Sequence, residues 1–237
     1  MDEAVNEVCE KIMDRANLAK ARGDMYNFLS AAFLEPPGKT LVTALSSNGL
    51  LEALENIFGP AAVNDLRMFV SQFQGDYESS DQEFQDLFMV PLGRYVTPYE
   101  AVYRDEREVG DERVRGLLAG PSTLAVKQLY REAGMAVSED FKELPDHVGL
   151  ELACMKFLCE AEARAWVQED LDSVRRMRDF QKRLLHEHLL LWVPELCRRI
   201  RKNAVGPLYR GIAELVEAYL EMEANIDSAW TGKEAPC

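Results

Sequence analysis

With 237 residues, 47% of them apolar, and no uninterrupted apolar run of about 18, the chain can bury a real core but offers no evident membrane span. Its 41 acidic against 27 basic residues give a formal charge of -14, which repels phosphate backbones and anionic lipid and argues against nucleic acid as a partner. The N-terminus MDEAVNEVCEK lacks the basic-then-apolar order of an export signal, and Cys9, Cys154, Cys159, Cys197 and Cys237 contain no C-x-x-C pair, so a cytoplasmic protein with reduced thiols is expected.

In chain order, Val8, Ile12, Leu18, Met25, Phe28, Leu29 and Phe33 recur mostly every three or four residues and predict a helix over about 5–34, dented at Gly23 and stopped by Pro36-Pro37-Gly38. Helices near 40–57 and 61–74 are parted by Gly59-Pro60, where Gly suits a helix end and Pro a helix start. After a polar gap at 75–80, Asp81 is the expected N-cap of a helix ending near Phe88. The stretch 89–120 holds Pro91, Gly93, Pro98, Gly110, Gly116 and Gly120, too many breakers for a long helix, and irregular segments of that length usually carry function.

Helix resumes at Pro121-Ser122-Thr123 and ends at Ala133 with Gly134 placed to cap it, and 138–146, SEDFKELPD, reads as a hinge-like connection. Val148, Leu152, Met155 and Cys159 form one helical stripe. A further helix over about 169–201 turns Phe180, Leu184, Leu185, His188, Leu191 and Trp192 inward, and Pro194 kinks it or begins a new turn. Gly206-Pro207 opens a last helix of about 208–225, leaving 226–237 as a frayed tail. With no internal repeat and no alternating strand series, the fold class is all-α.

Three clusters carry chemistry. Phe84, Leu87 and Phe88 share one helix face, which reads as core, while Pro98-Tyr99-Glu100 with Tyr103 can present a ring and a carboxylate together, for packing or for binding. Leu144-Pro145-Asp146-His147 precedes the helix that carries Leu152; Asp146 reads as its N-cap or as an acceptor for a cationic ligand, and His147 as a partly buried imidazole. His186 and His188 lie about 200° apart around a helix and cannot share a metal, so His188 reads as a satisfied core histidine. No P-loop, dinucleotide fingerprint, zinc-protease motif or nucleophile elbow is present, which disfavours an enzyme.

The blocks Leu87-Phe88 to Asp105, Gly120-Pro121-Ser122-Thr123-Leu124 with Tyr130 to Gly134, Pro145-Asp146-His147 with Glu151-Leu152, and His188-Leu189 with Trp192 resemble, in order and spacing, the TorD/DmsD/NarJ family of redox-enzyme maturation chaperones. The resemblance covers about 20–205. It implies one all-helical domain over 1–225, two helical halves meeting at a hinge near 135–147, and no catalytic or metal-ligating residue. It also implies a non-catalytic role: binding the N-terminal, often twin-arginine, segment of a molybdopterin oxidoreductase catalytic subunit until cofactor insertion is complete. The matching peptide-binding positions are Leu87, Phe88, Pro98, Tyr99, Glu100, Tyr103, Gly120, Asp146 and His147, read as an apolar groove with an acidic rim. Some relatives have Trp at the position of Tyr99, so peptide preference does not transfer. For cofactors the resemblance implies none beyond weak guanine-nucleotide binding; the lack of a long apolar run argues against stable membrane insertion, and the hinge-like loops leave a monomer or a domain-swapped dimer open. The alternatives are a nucleotide-hydrolysing enzyme using Asp146 and His147 as an acid-base pair, or a structural assembly subunit.

Overall fold

The computed structural model describes every residue except 1, 48, 110–111, 139–140 and 230–237. Helix α1 (Asp2–Leu34) is continuous through Gly23 and packs antiparallel along α8 (Val148–Val167), with Arg22 beside Glu162 and Ser30 bonded to the Gly149 carbonyl. The expected stripe on α8 is fully buried at Val148, Leu152, Met155 and Cys159, whereas Leu18 of α1 is 52% exposed.

The segment expected as one helix over 40–57 is two, α2 (Lys39–Ser46) and α3 (Leu50–Phe58), followed by a short 3-10 turn and α4 (Asn64–Gln72). Helix α5 (Tyr77–Phe84) begins earlier than expected. Its N-cap is Asp76, whose carboxylate accepts from Ser79 N–H at 3.1 Å, and Asp81 lies inside the helix. A π turn (Gln85–Met89) extends α5 and carries Leu87 and Phe88.

The breaker-rich stretch contains a short helix α6 (Glu100–Arg104) and a two-stranded antiparallel hairpin, β1 (Glu106–Val109) with β2 (Glu112–Arg115), pairing Glu106 with Arg115. That hairpin is an addition to an otherwise all-α fold. Helix α7 (Pro121–Ala133) starts and stops where the sequence indicates, and Gly134 ends it at φ 81°, a left-handed conformation that glycine adopts without a Cβ penalty.

Helix α9 (Leu171–Leu184), a second π turn (Leu185–Leu189) and α10 (Leu190–Asn203) occupy the region expected as one helix. Pro194 sits inside α10 and supplies no N–H to the carbonyl four residues back, that of Leu190. Leu191, expected inside, is 54% exposed. The last helix, α11 (Pro207–Ala229), runs past 225, and of the tail expected to fray, 230–237 lies outside the described residues.

One continuous apolar core draws on every long helix. At its centre the Phe88 ring meets Phe33, Phe84 and Tyr209 at centroid distances of 5.6, 5.6 and 5.2 Å, joining α1, the first π turn and α11. A charged network lies beside it. Arg22 Nε and Nη2 donate to Glu223 at 2.8 and 2.6 Å, and Glu162 accepts from Arg22, Trp166, Arg178 and Gln181, tying α1, α8, α9 and α11 together.

Candidate functional site

The loop after the first π turn is held at both ends by backbone hydrogen bonds. Val96 N–H donates to the Leu87 carbonyl at 2.7 Å, Val148 N–H to Pro98 at 2.9 Å and Glu100 N–H to Asp146 at 3.0 Å, while Tyr99 and His147 form an isolated antiparallel bridge. Residues 96–100 thus act as an extended strap between the π turn and the start of α8. The structure brings Pro98, Tyr99, Glu100, Asp146 and His147 together. Leu87 and Phe88 lie beneath, in the aromatic core, and both are buried.

The cap of α8 is His147, one residue later than expected. Its Nδ1 accepts from Gly149 N–H at 3.1 Å, which requires a neutral ring. Burial lowers the imidazole pKa from 6.5 to about 4, against the opposing pull of the Glu143 charge. Asp146 caps a different helix: its Oδ2 accepts from Ala101 N–H, in the first turn of α6, at 3.0 Å. The two side chains are committed to separate backbone partners and form no acid-base pair.

Glu100 and Asp146 are both 0% exposed, so they are not an acidic rim open to solvent. Glu100 Oε2 accepts from His188 Nδ1 at 2.8 Å, and Oε1 is paired with Arg104, which also reaches the Glu187 carbonyl at 2.6 Å in the second π turn. Glu151, equally buried, receives Trp192 Nε1 at 3.2 Å through its Oε2. Burial, then the nearby Glu100 charge, pushes the Glu151 carboxyl well above the usual carboxylate range. The Asp146 carboxyl is also raised by burial, against the pull of the Ala101 N–H and the Thr123 hydroxyl. Charge reversal at Glu100 or Asp146 would bury an ill-partnered cation, so these positions support the fold before they touch any ligand.

Gly120 has a local structural reason. A Cβ there would meet Asp105 Oδ2 at 2.0 Å, because that carboxylate reaches past Gly120 to accept from Ser122 N–H at 3.0 Å and Ser122 Oγ at 2.6 Å. Asp105 therefore caps α7 from outside the helix. Tyr103 donates its hydroxyl to the Thr97 carbonyl at 2.8 Å, with its ring 5.3 Å from Trp192 and 4.7 Å from the Arg199 guanidinium.

Of the nine expected positions, Tyr99 and Tyr103 are half-buried and the other seven are buried. Tyr99 donates its hydroxyl to the carboxylate of half-buried Glu143, which is less enclosed than Glu100 or Asp146. Burial, then Glu143, raises the Tyr99 pKa. Sequence reasoning did not single out Glu143 or the pairing of Glu100 with His188. An acidic residue before Pro145 was the available signal for Glu143, but nothing local signals a partner 88 residues away. Two π turns flank the site, a rare geometry that collects at functional regions. Among the described residues no group of three or more His, Cys, Asp or Glu side chains could hold a metal, and no helix is long and apolar enough to cross a membrane.

The family model described as nitrate reductase delta subunit matches residues 60–198, more than half of the chain and the whole of this site. The chain is 22% identical over 215 residues to the chaperone protein TorD of Vibrio cholerae serotype O1 (strain M66-2), covering 88% of this chain and 92% of that one. It is 22% identical over 248 residues to TorD of Colwellia psychrerythraea, covering 95% and 98%. TorD of Salmonella paratyphi B is 26% identical over 141 residues, covering 60% and 57%. These relatives are named chaperones rather than enzymes. The chain belongs to the nitrate reductase delta subunit family, that of the TorD and NarJ chaperones of molybdoenzymes.

Proposed function

We propose that this protein is a cytoplasmic assembly chaperone that binds the N-terminal segment, in this family often a twin-arginine signal, of a molybdopterin oxidoreductase catalytic subunit and holds it until cofactor insertion and folding are complete. The observation that carries the reading is the convergence of four separated sequence blocks. Hydrogen bonds link Glu100 with His188, Asp105 with Ser122, Pro98 with Val148, and Trp192 with Glu151, so the segments resembling the family converge on a single region. A buried, mutually satisfied polar base of this kind specifies one arrangement of the strap above it.

The chemistry of the accessible part suits a cationic, partly apolar peptide. Tyr99 offers a half-buried ring and Glu143 a carboxylate for guanidinium. Leu92, Leu118, Leu124 and Leu191, on the segments that build the site, are 75, 49, 70 and 54% exposed. No resident cofactor enters the proposal. The test is titration calorimetry with the N-terminal peptide of the molybdoenzyme catalytic subunit encoded beside this chain, and with the same peptide carrying alanine for its arginines. Saturable binding is expected, weakened about tenfold or more by the alanine peptide and by Tyr99→Ala or Glu143→Gln in folded protein. Absence of binding by the unmodified protein would overturn the reading.

A further inference from the structure

Beneath the strap, three carboxyl groups from separate segments are buried together: Glu100 at the start of α6, Asp146 just before α8, and Glu151 in the first turn of α8, each 0% exposed. The titratable and charged groups that face them are Arg104 of α6, His188 of the second π turn, Tyr130 of α7 and Cys154 of α8. Burial raises the Tyr130 hydroxyl and the Cys154 thiol, so both are neutral. Among the described residues, Arg104 is thus the one permanent cation facing this cluster, and the His188 imidazole is the one group there able to gain a positive charge. Three like charges gathered out of water around so little compensation do not all ionise.

The hydrogen bonds locate the proton. Both oxygens of Glu100 have donors, Oε1 from Arg104 and Oε2 from His188 Nδ1 at 2.8 Å. Glu151 Oε2 accepts from Trp192 Nε1 at 3.2 Å, but its buried Oε1 meets no donor among the described residues. What lies within hydrogen-bond reach of Glu151 is the Glu100 side chain. Two carboxylates are both acceptors, and they repel unless a proton lies between them. As a neutral acid, Glu151 donates from Oε1 to Glu100 and accepts from Trp192 at Oε2, which leaves neither oxygen unsatisfied. Glu100 keeps the negative charge, because it is the member of the pair that faces Arg104 and His188. Burial and the Glu100 charge push the Glu151 carboxyl upward, in the direction the geometry requires.

We propose that Glu151 is a carboxylic acid at neutral pH, sharing its proton with Glu100, and that it is a positioning residue whose proton seats the Glu100 end of the strap on α8. The strap's anchors, Glu100 N–H to the Asp146 carbonyl and Val148 N–H to the Pro98 carbonyl, flank this pair. That the strap serves a peptide rests on the function proposed above; the proton does not, so its test needs no ligand. Urea unfolding is compared for unmodified protein, Glu151→Gln, whose amide can donate to Glu100 and accept from Trp192 as the acid does, and Glu151→Leu, which can do neither. The folded chain keeps a proton that the unfolded chain releases above its ordinary value of 4.5, so this contribution to stability is complete below 4.5 and is lost as pH rises. The unfolding constant of unmodified protein should therefore rise about tenfold per pH unit relative to Glu151→Gln between about pH 5 and 6.5, the effects of Asp146 and His147 being common to both. A constant ratio would show Glu151 ionised in the folded protein and overturn the proposal, and a ratio that changes only above about 6.5 would put the proton on His188 and overturn it equally. Infrared spectra at neutral pH should show the carbonyl band of a protonated carboxyl that Glu151→Gln lacks. A band that Glu151→Gln keeps in full would belong to another carboxyl, and absence of the band from unmodified protein would overturn the assignment without any variant. Amide exchange at Glu100 and Val148 should be about tenfold faster in Glu151→Leu and unchanged in Glu151→Gln; equal protection in all three would remove the positioning role.

Discussion

His147 caps α8 through a ring nitrogen, and that use lasts only while the ring is neutral. Its pKa falls from 6.5 to about 4 on folding, so between those values the unfolded chain binds a proton that the folded chain refuses. The stability this contributes is complete above 6.5 and is lost as pH falls towards 4, roughly 3 kcal/mol over the full window. Asp146 and Glu151 act with the opposite sign, because their raised pKa values favour the protonated carboxyls in the folded state and cost stability as pH rises past the ordinary carboxylate range. The isolating measurement is therefore a difference: urea midpoints of wild type and His147→Asn across this range. Asparagine keeps a capping acceptor without titrating, so the gap between the two proteins should narrow on acidification, and a constant gap would count against the cap as the titrating element.

At the scale of elements, the hairpin and α7 depend on one contact across their base. Asp105 immediately precedes β1, Gly120 immediately precedes α7, and the Asp105 carboxylate closes the excursion between them by capping α7 at Ser122. Asp105→Ala removes that cap at a cost of about 1 kcal/mol. Gly120→Ala forces a Cβ against the same carboxylate and should cost at least as much, through displacement of Asp105 rather than through the backbone. The double variant should then be clearly less destabilised than the sum of the singles, because alanine at 105 removes the carboxylate atoms that the added Cβ would strike. Denaturant midpoints of the four proteins decide this, and strict additivity would show that Gly120 is required for some other reason.

At the scale of the molecule, a buried charge network performs for the far end of the bundle what the Glu100–His188 pair performs for the site. Arg22 of α1 spans Glu223 of α11 and Glu162 of α8, and Tyr26 adds a 3.1 Å hydrogen bond to Glu223. Replacing Arg22 with Met leaves Glu223 without its cation in a site it cannot leave, and the expected loss is about 3–5 kcal/mol, seen as a lower melting temperature. Adding Glu223→Gln should recover part of it, since the neutral amide no longer needs the guanidinium. No recovery would mean that Arg22 matters for its packing more than for its charge.

Much of the architecture was legible in local sequence. Pro36-Pro37-Gly38, Gly59-Pro60, Pro121, Gly134 and Gly206-Pro207 act on the backbone dihedrals of their own neighbourhood, and helical periodicity exposes the stripe from Val148 to Cys159. The ordered blocks from Leu87 to Trp192 were enough to point to the family. Only the tertiary structure decided what the site residues do: that Asp146 caps α6 and His147 caps α8, that Glu100 and Asp146 are buried, that Asp105 explains Gly120, and that half-buried Glu143 is the partner of Tyr99. Burial and hydrogen-bond partnership depend on which distant segments meet, as Glu100 and His188 do across 88 residues, and no window of local propensity contains both partners.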